Sequence, residues 1–270
     1  MRAWVAGGAV LITAWATLVT RPSQAAGRPY AFTQGVDSLS ESSVEVESWI
    51  TEEKSPDPVN PIWDWWLGPV VGMTDQLEAG LFTILVQPPE LPPATPGAER
   101  SREGLSLAAL RLQMSYLLAP RGTWPVDVRM RFEAGAPLAA TEGGSRAEGL
   151  NGSRATFWYL VMLGRDFGPL NLTLKAGPWL AIGEEPGADE VEAEPYVRYA
   201  LGASLEVLRG LRVGGEVFGD ASLSEGEATL LAGPALGWGT GRFWAAAALG
   251  FGLTEESPSH RGRLVIGVLF

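Results

Sequence analysis

The sequence contains no cysteine and a single histidine among its 270 residues. The absence of cysteine excludes a disulfide framework and thiolate-bound metals. A single histidine leaves few nitrogen ligands for zinc or iron. We therefore expect no cofactor and no metal centre, and a fold that is held together by backbone pairing and packing.

Basic residues are also scarce, because 20 lysines and arginines face 31 aspartates and glutamates, for a net charge of -11. Proteins that bind nucleic acid usually carry a basic surface that neutralises phosphates. The charge balance therefore predicts no nucleic-acid partner.

Long apolar segments are missing beyond the N-terminus. Arg2, the apolar run 5–19 and the small residues around Ala25 predict a signal peptide over residues 1–25. A retained helical anchor is the alternative, but the run is shorter than the roughly 20 residues that a spanning helix needs. Later apolar runs, such as 155–164 and 243–253, have the length of a tilted transmembrane β-strand, about 9 to 11 residues.

The sequence is instead rich in alternating apolar and polar residues. Residues 124–134 give the clearest case, with Val128, Met130 and Phe132 opposite Arg129, Arg131 and Glu133. This period of two is typical of a strand with one apolar and one polar face. The same pattern predicts twelve strands, at 43–50, 62–71, 76–87, 105–118, 124–134, 154–165, 170–182, 191–205, 211–223, 228–238, 242–254 and 261–270.

The connections between these strands alternate in length, except for a four-residue loop near Glu225. Outer-membrane barrels have short periplasmic turns and longer outer loops. Five aromatic residues fall at predicted periplasmic strand ends on the lipid-facing side, where an interfacial belt lies: Tyr116, Trp124, Trp238, Phe243 and Phe270.

These features predict an all-β protein, an antiparallel up-and-down transmembrane β-barrel of about twelve strands in the bacterial outer membrane. The barrel would span residues 43–270, after a periplasmic N-terminal lead-in at 26–42. Outer-membrane lipid and lipopolysaccharide would surround it. The rival architecture is a soluble β-sandwich or lipocalin-like barrel, whose apolar face would point inward.

Three segments resemble known families. The last strand, which ends in Phe270, resembles the insertion signal of bacterial barrels, and implies the barrel-assembly machinery as a partner. Residues 44–49 and 72–81 resemble putative transporters of the phenol-degradation meta-pathway type, which often carry Gly-Val-Thr-Asp-Arg-Leu-Glu at an early turn. Met73 and Gln76 depart from that pattern. The resemblance implies an outer-membrane barrel with a transport role and no catalytic residues.

Charged residues on the inward parity are the candidate pore lining. Opposed acidic and basic walls could orient a polar solute, or the same charges could pair across strands and keep the interior closed. The candidates are Arg111, Asp127, Arg129, Arg131, Glu133, Lys175, Glu192, Glu194, Arg198, Glu216 and Asp220.

One inward wall carries almost no side chains. Inward positions of strands nine to eleven are glycine or alanine, among them Gly237, Ala246 and Gly250. This bare wall could leave a permeation path. It could equally accept a bulky residue, such as Trp49, or an N-terminal segment.

Three functional hypotheses follow. The leading one is a passive channel or transporter for small solutes. The alternative is a plugged barrel with a structural or surface-interaction role, in which loops 88–104 and 135–153 form the contact surface. A lipid hydrolase using His260 with Ser257 or Ser259 comes last, because neighbours on one short loop rarely form a nucleophile and its base. Acidic outer loops, including Glu255 and Glu256, indicate solvated charge or a calcium or magnesium site.

Overall fold

The fold is a closed barrel of twelve antiparallel strands in which each strand pairs with its neighbours in sequence and β1 pairs with β12. The computed structural model describes residues 28–55, 61–87, 105–138, 153–184 and 191–270. Within these residues no helix is long and apolar enough to cross a membrane. The strands are β1 Val44–Lys54, β2 Ile62–Gly72, β3 Leu77–Gln87, β4 Ser106–Leu117, β5 Asp127–Pro137, β6 Ser153–Phe167, β7 Leu170–Glu184, β8 Val191–Leu208, β9 Leu211–Ser222, β10 Leu231–Thr240, β11 Phe243–Gly252 and β12 His260–Leu269.

Burial follows the predicted parity, so the apolar face points outward. On β5, Phe132 is 43% exposed, whereas Arg129 and Arg131 are each 1% exposed. An apolar outer face and a charged interior suit lipid outside and polar groups inside. This arrangement confirms the predicted transmembrane barrel and excludes the soluble sandwich, whose apolar face would be the buried one.

The two ends of the barrel differ in the length of their connections. One end, here called the short-turn end, carries the connections 73–76, 118–126, 168–169, 209–210 and 241–242. The opposite end, the long-loop end, includes the connection 223–230. That loop is longer than predicted, because β10 begins at Leu231 and Ala228 forms only an isolated bridge with Ala221. Short and long connections therefore alternate except at 118–126, which lies at the short-turn end although it is nine residues long.

The predicted boundaries of most other strands differ from the structure by one to four residues, and the differences at β1 and β5 have a visible cause. β1 continues to Lys54, because Thr51 to Lys54 pair with β12. β5 begins at Asp127 rather than at Trp124, because the Asp127 carboxylate accepts a hydrogen bond of 2.6 Å from the Gly122 amide and closes the preceding turn. The seam between the ends of the chain is closed by the Phe270 amide, which donates to the Val44 carbonyl at 2.8 Å.

Three Gly-Pro pairs interrupt the sheet, in β2, β7 and β10. Proline has no amide hydrogen, so pairing between β2 and β3 stops at Leu67 and resumes at Val70. At Gly177 a Cβ atom would lie 1.9 Å from the Tyr159 carbonyl oxygen of the next strand. Gly68 and Gly233 meet a neighbouring carbonyl in the same way. Only glycine allows this close approach.

Gly177→Ala is expected to lower the free energy of unfolding by about 1 to 3 kcal/mol, because the methyl group must displace backbone. Gly262→Ala is the matched control, since the nearest atom to its Cβ would be 3.6 Å away. Urea unfolding in lipid vesicles measures both variants. Equal stability of the two variants would contradict the close approach at Gly177.

Candidate functional site: a plugged lumen

The barrel interior contains the chain's own N-terminal segment. Residues 28–39, here called the plug, lie among the inward side chains of the barrel, and Tyr30, Phe32 and Leu39 are each 5% exposed or less. Residues 28–39 of the lead-in predicted at 26–42 therefore lie inside the lumen, whereas residues 40–42 are exposed; the periplasmic location of the lead-in stays a prediction. The alternative proposed for the bare wall, an N-terminal segment packed against it, is the one observed.

The plug enters from the short-turn end, turns at mid-barrel and returns. Pro29 lies against Gly237 of β10, and Phe32 stacks on Phe218 of β9 with ring centroids 3.9 Å apart. Beyond this apex the segment descends past Val36, which packs against Gly164, to Leu39 beside Glu78 at the start of β3. The plug is thus a hairpin-like loop with its apex at Phe32.

Glu216 of β9 binds the apex of the plug. Its carboxylate accepts hydrogen bonds from three successive amides, those of Ala31 (2.9 Å), Phe32 (2.9 Å) and Thr33 (2.5 Å). Lys175 donates to the Phe32 carbonyl from the other side. Hydrogen bonds to a charged group are stronger than neutral ones, and Glu216 is only 2% exposed. This carboxylate is the main polar contact at the apex.

The ascending limb is fixed by Tyr30. The Tyr30 hydroxyl is buried in the lumen and donates to the Asn171 carbonyl at 2.9 Å. Gly202 makes room for the ring, because a Cβ there would lie 2.7 Å from it.

Two arginines of β5 bind the descending limb. Arg131 donates to the Gln34 side-chain oxygen. Arg129 donates to the Asp37 carbonyl, to the Gly35 carbonyl at 3.4 Å and to the Glu78 carboxylate. Both guanidinium groups were predicted to line a pore, and they face the lumen. In the structure both guanidinium groups donate hydrogen bonds to the plug.

Arg28, at the base of the plug, meets three buried carboxylates. Its guanidinium lies 2.8 Å from Glu47, 3.4 Å from Glu45 and 3.9 Å from Glu78. The guanidinium also lies 5.2 Å from the centre of the Trp244 ring, within the range of a cation–π contact. All three carboxylates are 0% exposed. Arg28 therefore supplies positive charge to Glu45 and Glu47, whereas Glu78 also pairs with Arg129.

The turn between β2 and β3, which carries the family resemblance, also holds the plug. The Asp75 carboxylate accepts from the Glu41 amide at 3.1 Å, and its carbonyl accepts from the Ser38 hydroxyl at 2.9 Å. Glu78 accepts from the Leu39 amide at 3.1 Å. The Asp and Glu positions of the motif, Asp75 and Glu78, thus fix the point where the plug leaves the lumen.

A stack of aromatic rings and one guanidinium lines the lumen around and beyond the plug. Arg111 lies between Trp66 and Trp158, 4.2 and 3.7 Å from the ring centres. Trp49 stacks on Trp66 at 5.2 Å, and Trp179 stacks on Trp158 at 5.4 Å. Arg111 also pairs with Glu133 at 3.3 Å. These planar groups fill much of the inner wall.

Two cavities lie at opposite ends of the lumen. The short-turn vestibule, about 440 Å³, is lined by Arg28, Pro29 and the turn residues 209–210 and 239–241. The long-loop vestibule, about 340 Å³, is lined by Trp179, Tyr196 and several acidic residues. Between them a cavity of about 20 Å³, beside Phe32 and Lys175, has room for about one water molecule. Among the described residues, the plug lies between the two vestibules.

Most of the predicted lining residues are where the parity placed them. Eight are buried in the lumen wall: Arg111, Asp127, Arg129, Arg131, Glu133, Lys175, Glu216 and Asp220. Arg198 is partly buried beside Asp220, and Glu194 is exposed at the long-loop end. The side chain of Glu192 lies outside the described residues. Their role in solute passage remains a prediction.

Several residues that bind the plug were missed. Glu45, Glu47 and Glu78 have inward parity in the sequence, so that pattern alone could have included them among the lining. Arg28, Tyr30 and Gln34 carry no such signal, because they lie outside any strand. The strand pattern indicates which face a residue occupies but not what fills the lumen.

The residues of the hydrolase hypothesis do not form a nucleophile and base. The Ser257 hydroxyl donates to the Leu230 carbonyl at 2.9 Å, and the Ser259 hydroxyl donates to the Lys54 carbonyl at 2.8 Å. His260 lies 3.7 Å from Glu52. Within the described part of the chain, no group of three acidic or histidine residues has the geometry of a metal site.

The closed antiparallel sheet, the apolar outer face and the polar interior define a transmembrane β-barrel of the bacterial outer-membrane class. Two solved structures are similar in fold. An outer-membrane channel from Pseudomonas putida F1 has a TM-score of 0.63 and 13% identity, over 87% of this chain and 98% of that one. The NanC porin has a TM-score of 0.51 and 9% identity, over 84% and 98%. No protein-family model matches the sequence, and no curated protein is similar to it.

Proposed function

We propose that the protein is a gated outer-membrane channel for small polar solutes, and that the plug is its gate. The observation that supports this proposal is the polar character of the lumen wall that contacts the plug. Glu216, Lys175, Arg129 and Arg131 bind the plug through polar contacts, and water can solvate all four once the plug has left. The open lumen would then be a polar, hydrated passage.

The size of the barrel supports small solutes. Eight strands enclose a lumen that side chains fill, whereas 16 to 18 strands enclose a wide aqueous channel. Twelve strands lie between these cases. The aromatic and guanidinium stack narrows the passage further, because Trp66, Arg111 and Trp158 lie across the wall above the plug.

We also propose a relation to the putative transporters of the phenol-degradation meta-pathway type. Its support is the position of the matching motif. Thr74 accepts hydrogen bonds from the Gln76 and Leu77 amides and shapes the turn, while the Asp75 carbonyl and the Glu78 carboxylate accept from Ser38 and Leu39 of the plug. The motif would then serve the gate rather than the solute.

Deletion of residues 28–39 tests the gate. The intact barrel is expected to give few or no conductance steps in planar bilayers, because the plug separates the vestibules. The deletion variant is expected to give steady conductance. A change in mobility on heating in detergent gels shows whether each protein has folded.

The second candidate function is a permanently plugged barrel with a structural or surface role. It is favoured by the buried ion pairs of the lumen, such as Arg111 with Glu133. If the deletion variant folds and still gives no conductance, the result supports this candidate and contradicts the channel proposal.

A further inference from the structure

The long-loop vestibule has a rigid aromatic wall. The rings of Trp179 and Tyr196 both line it, and they are stacked with centroids 4.2 Å apart and planes 11° apart. Trp158 packs behind Trp179 at 5.4 Å, and the Trp179 indole nitrogen donates to Asp220 at 3.0 Å. Trp179 is therefore held on both faces and at its edge. Tyr196 is partly exposed and forms the vestibule end of the stack.

The charge of this vestibule is negative. Among the described residues Glu225, Glu227, Glu255 and Glu256 line the cavity and form no ion pair. The two arginines nearby are neutralised, because Arg261 pairs with Glu53 at 2.6 Å and Arg198 pairs with Asp220 at 2.8 Å. The four loop carboxylates therefore give the cavity an uncompensated negative field.

We infer that the long-loop vestibule is a binding site for a small organic cation that carries an aromatic ring. The ring would stack on Tyr196 and extend the Trp158–Trp179–Tyr196 series, and its positive charge would face the loop carboxylates. A flat ring with a cationic group gains both stacking and cation–π attraction. A neutral ring gains only the stacking, and an anion is repelled.

This inference goes beyond the gate, because binding in the vestibule needs neither release of the plug nor passage of the ligand. The site lies at the long-loop end of the barrel. The base of the plug, where Arg28 contacts Glu47, lies at the opposite, short-turn end. The result of a binding measurement on the intact, plugged barrel therefore does not depend on the result of the conductance experiment.

Isothermal titration calorimetry of the full barrel in detergent tests the ligand class with four probes. Phenyltrimethylammonium combines the ring and the charge, and is expected to bind most tightly. Tetramethylammonium lacks the ring, benzyl alcohol lacks the charge, and benzoate reverses it. Tetramethylammonium and benzyl alcohol should bind more weakly than phenyltrimethylammonium, and benzoate should not bind. Added salt should weaken only the cations.

Variants locate the site. Tyr196→Leu removes the ring but keeps an apolar side chain, and is expected to weaken phenyltrimethylammonium binding about three- to tenfold, whereas Tyr196→Phe keeps the ring and should bind nearly as the wild type does. The double variant Glu255→Gln/Glu256→Gln should bind about twofold to threefold more weakly and lose part of its salt dependence. Tyr159→Leu, on the lipid-facing side of β6, is the control and should have no effect.

Three results would overturn the inference. One is benzoate binding as tight as that of the aromatic cation. Another is unchanged affinity in a folded Tyr196→Leu barrel. The third is the absence of any heat of binding with phenyltrimethylammonium on the wild-type protein.

Discussion

Glu216→Ala is expected to release the apex of the plug and raise the open fraction of the channel by roughly a hundredfold. The substitution removes the acceptor of the Ala31, Phe32 and Thr33 amides. Each hydrogen bond to a charged acceptor contributes about 1.5 to 3 kcal/mol, and the three are not additive. A loss of about 3 kcal/mol corresponds to a hundredfold change, at 1.4 kcal/mol for each factor of ten.

Single-channel recording in planar bilayers measures this effect as a rise in open probability. Glu206→Ala is the matched control, because Glu206 is an exposed carboxylate of neighbouring β8 that pairs with Arg212 at 3.7 Å and not with the plug. Glu216→Gln is expected to lie between the two, since its amide oxygen can still accept. If the Glu216→Ala and Glu206→Ala channels have the same open probability, Glu216 does not keep the plug in its closed position.

Arg111→Ala is expected to lower the free energy of unfolding by about 3 to 5 kcal/mol, because it removes one partner of a buried ion pair. The guanidinium is 1% exposed, lies between two tryptophan rings and pairs with Glu133. Its loss would leave Glu133 with only the Arg131 contact at 3.6 Å and open a space between the rings. This is the largest loss of stability that we expect from a single lumen substitution.

Guanidinium chloride unfolding in lipid vesicles, followed by tryptophan fluorescence, measures the loss. Arg111→Lys keeps the charge but not the planar group, and is expected to cost about 1 to 2 kcal/mol. Arg165→Ala is the control, because Arg165 is a partly exposed side chain that lies outside the buried ion pairs and donates to the Trp124 carbonyl at 2.9 Å. It should change stability by less than about 0.5 kcal/mol. Equal stability of Arg111→Ala and Arg165→Ala would contradict the role of Arg111.

The barrel itself could be predicted from the sequence because alternation records directly which face of a strand meets lipid. Phe132 and Arg131 differ in exposure as their parity requires. The ends of strands were harder to predict. Ala228 continues the alternating pattern before β10, but in the structure it forms only an isolated bridge with Ala221 and does not extend the strand. Pairing depends on the partner strand, and that partner is not encoded in local pattern.

The plug could not be located from the sequence, because residues 28–39 have no periodicity and bind through backbone groups. The amides that Glu216 accepts from belong to Ala31, Phe32 and Thr33, whose side chains give no sign of this contact. The bare wall was the one available signal. Gly237 of this wall provides space for Pro29, yet an empty wall fits a permeation path equally well.

The most direct test of the gate is a plug that can be locked and released. The chain has no cysteine, so Val36→Cys/Gly164→Cys introduces its only thiols. A Cβ built at Gly164 would lie 2.8 Å from the Val36 Cγ2 atom, which is close enough for a disulfide. The pair is placed in the Glu216→Ala barrel and conductance is recorded before and after a reductant. We predict a closed channel when oxidised and an open one when reduced; equal conductance in both states would contradict the plug as gate.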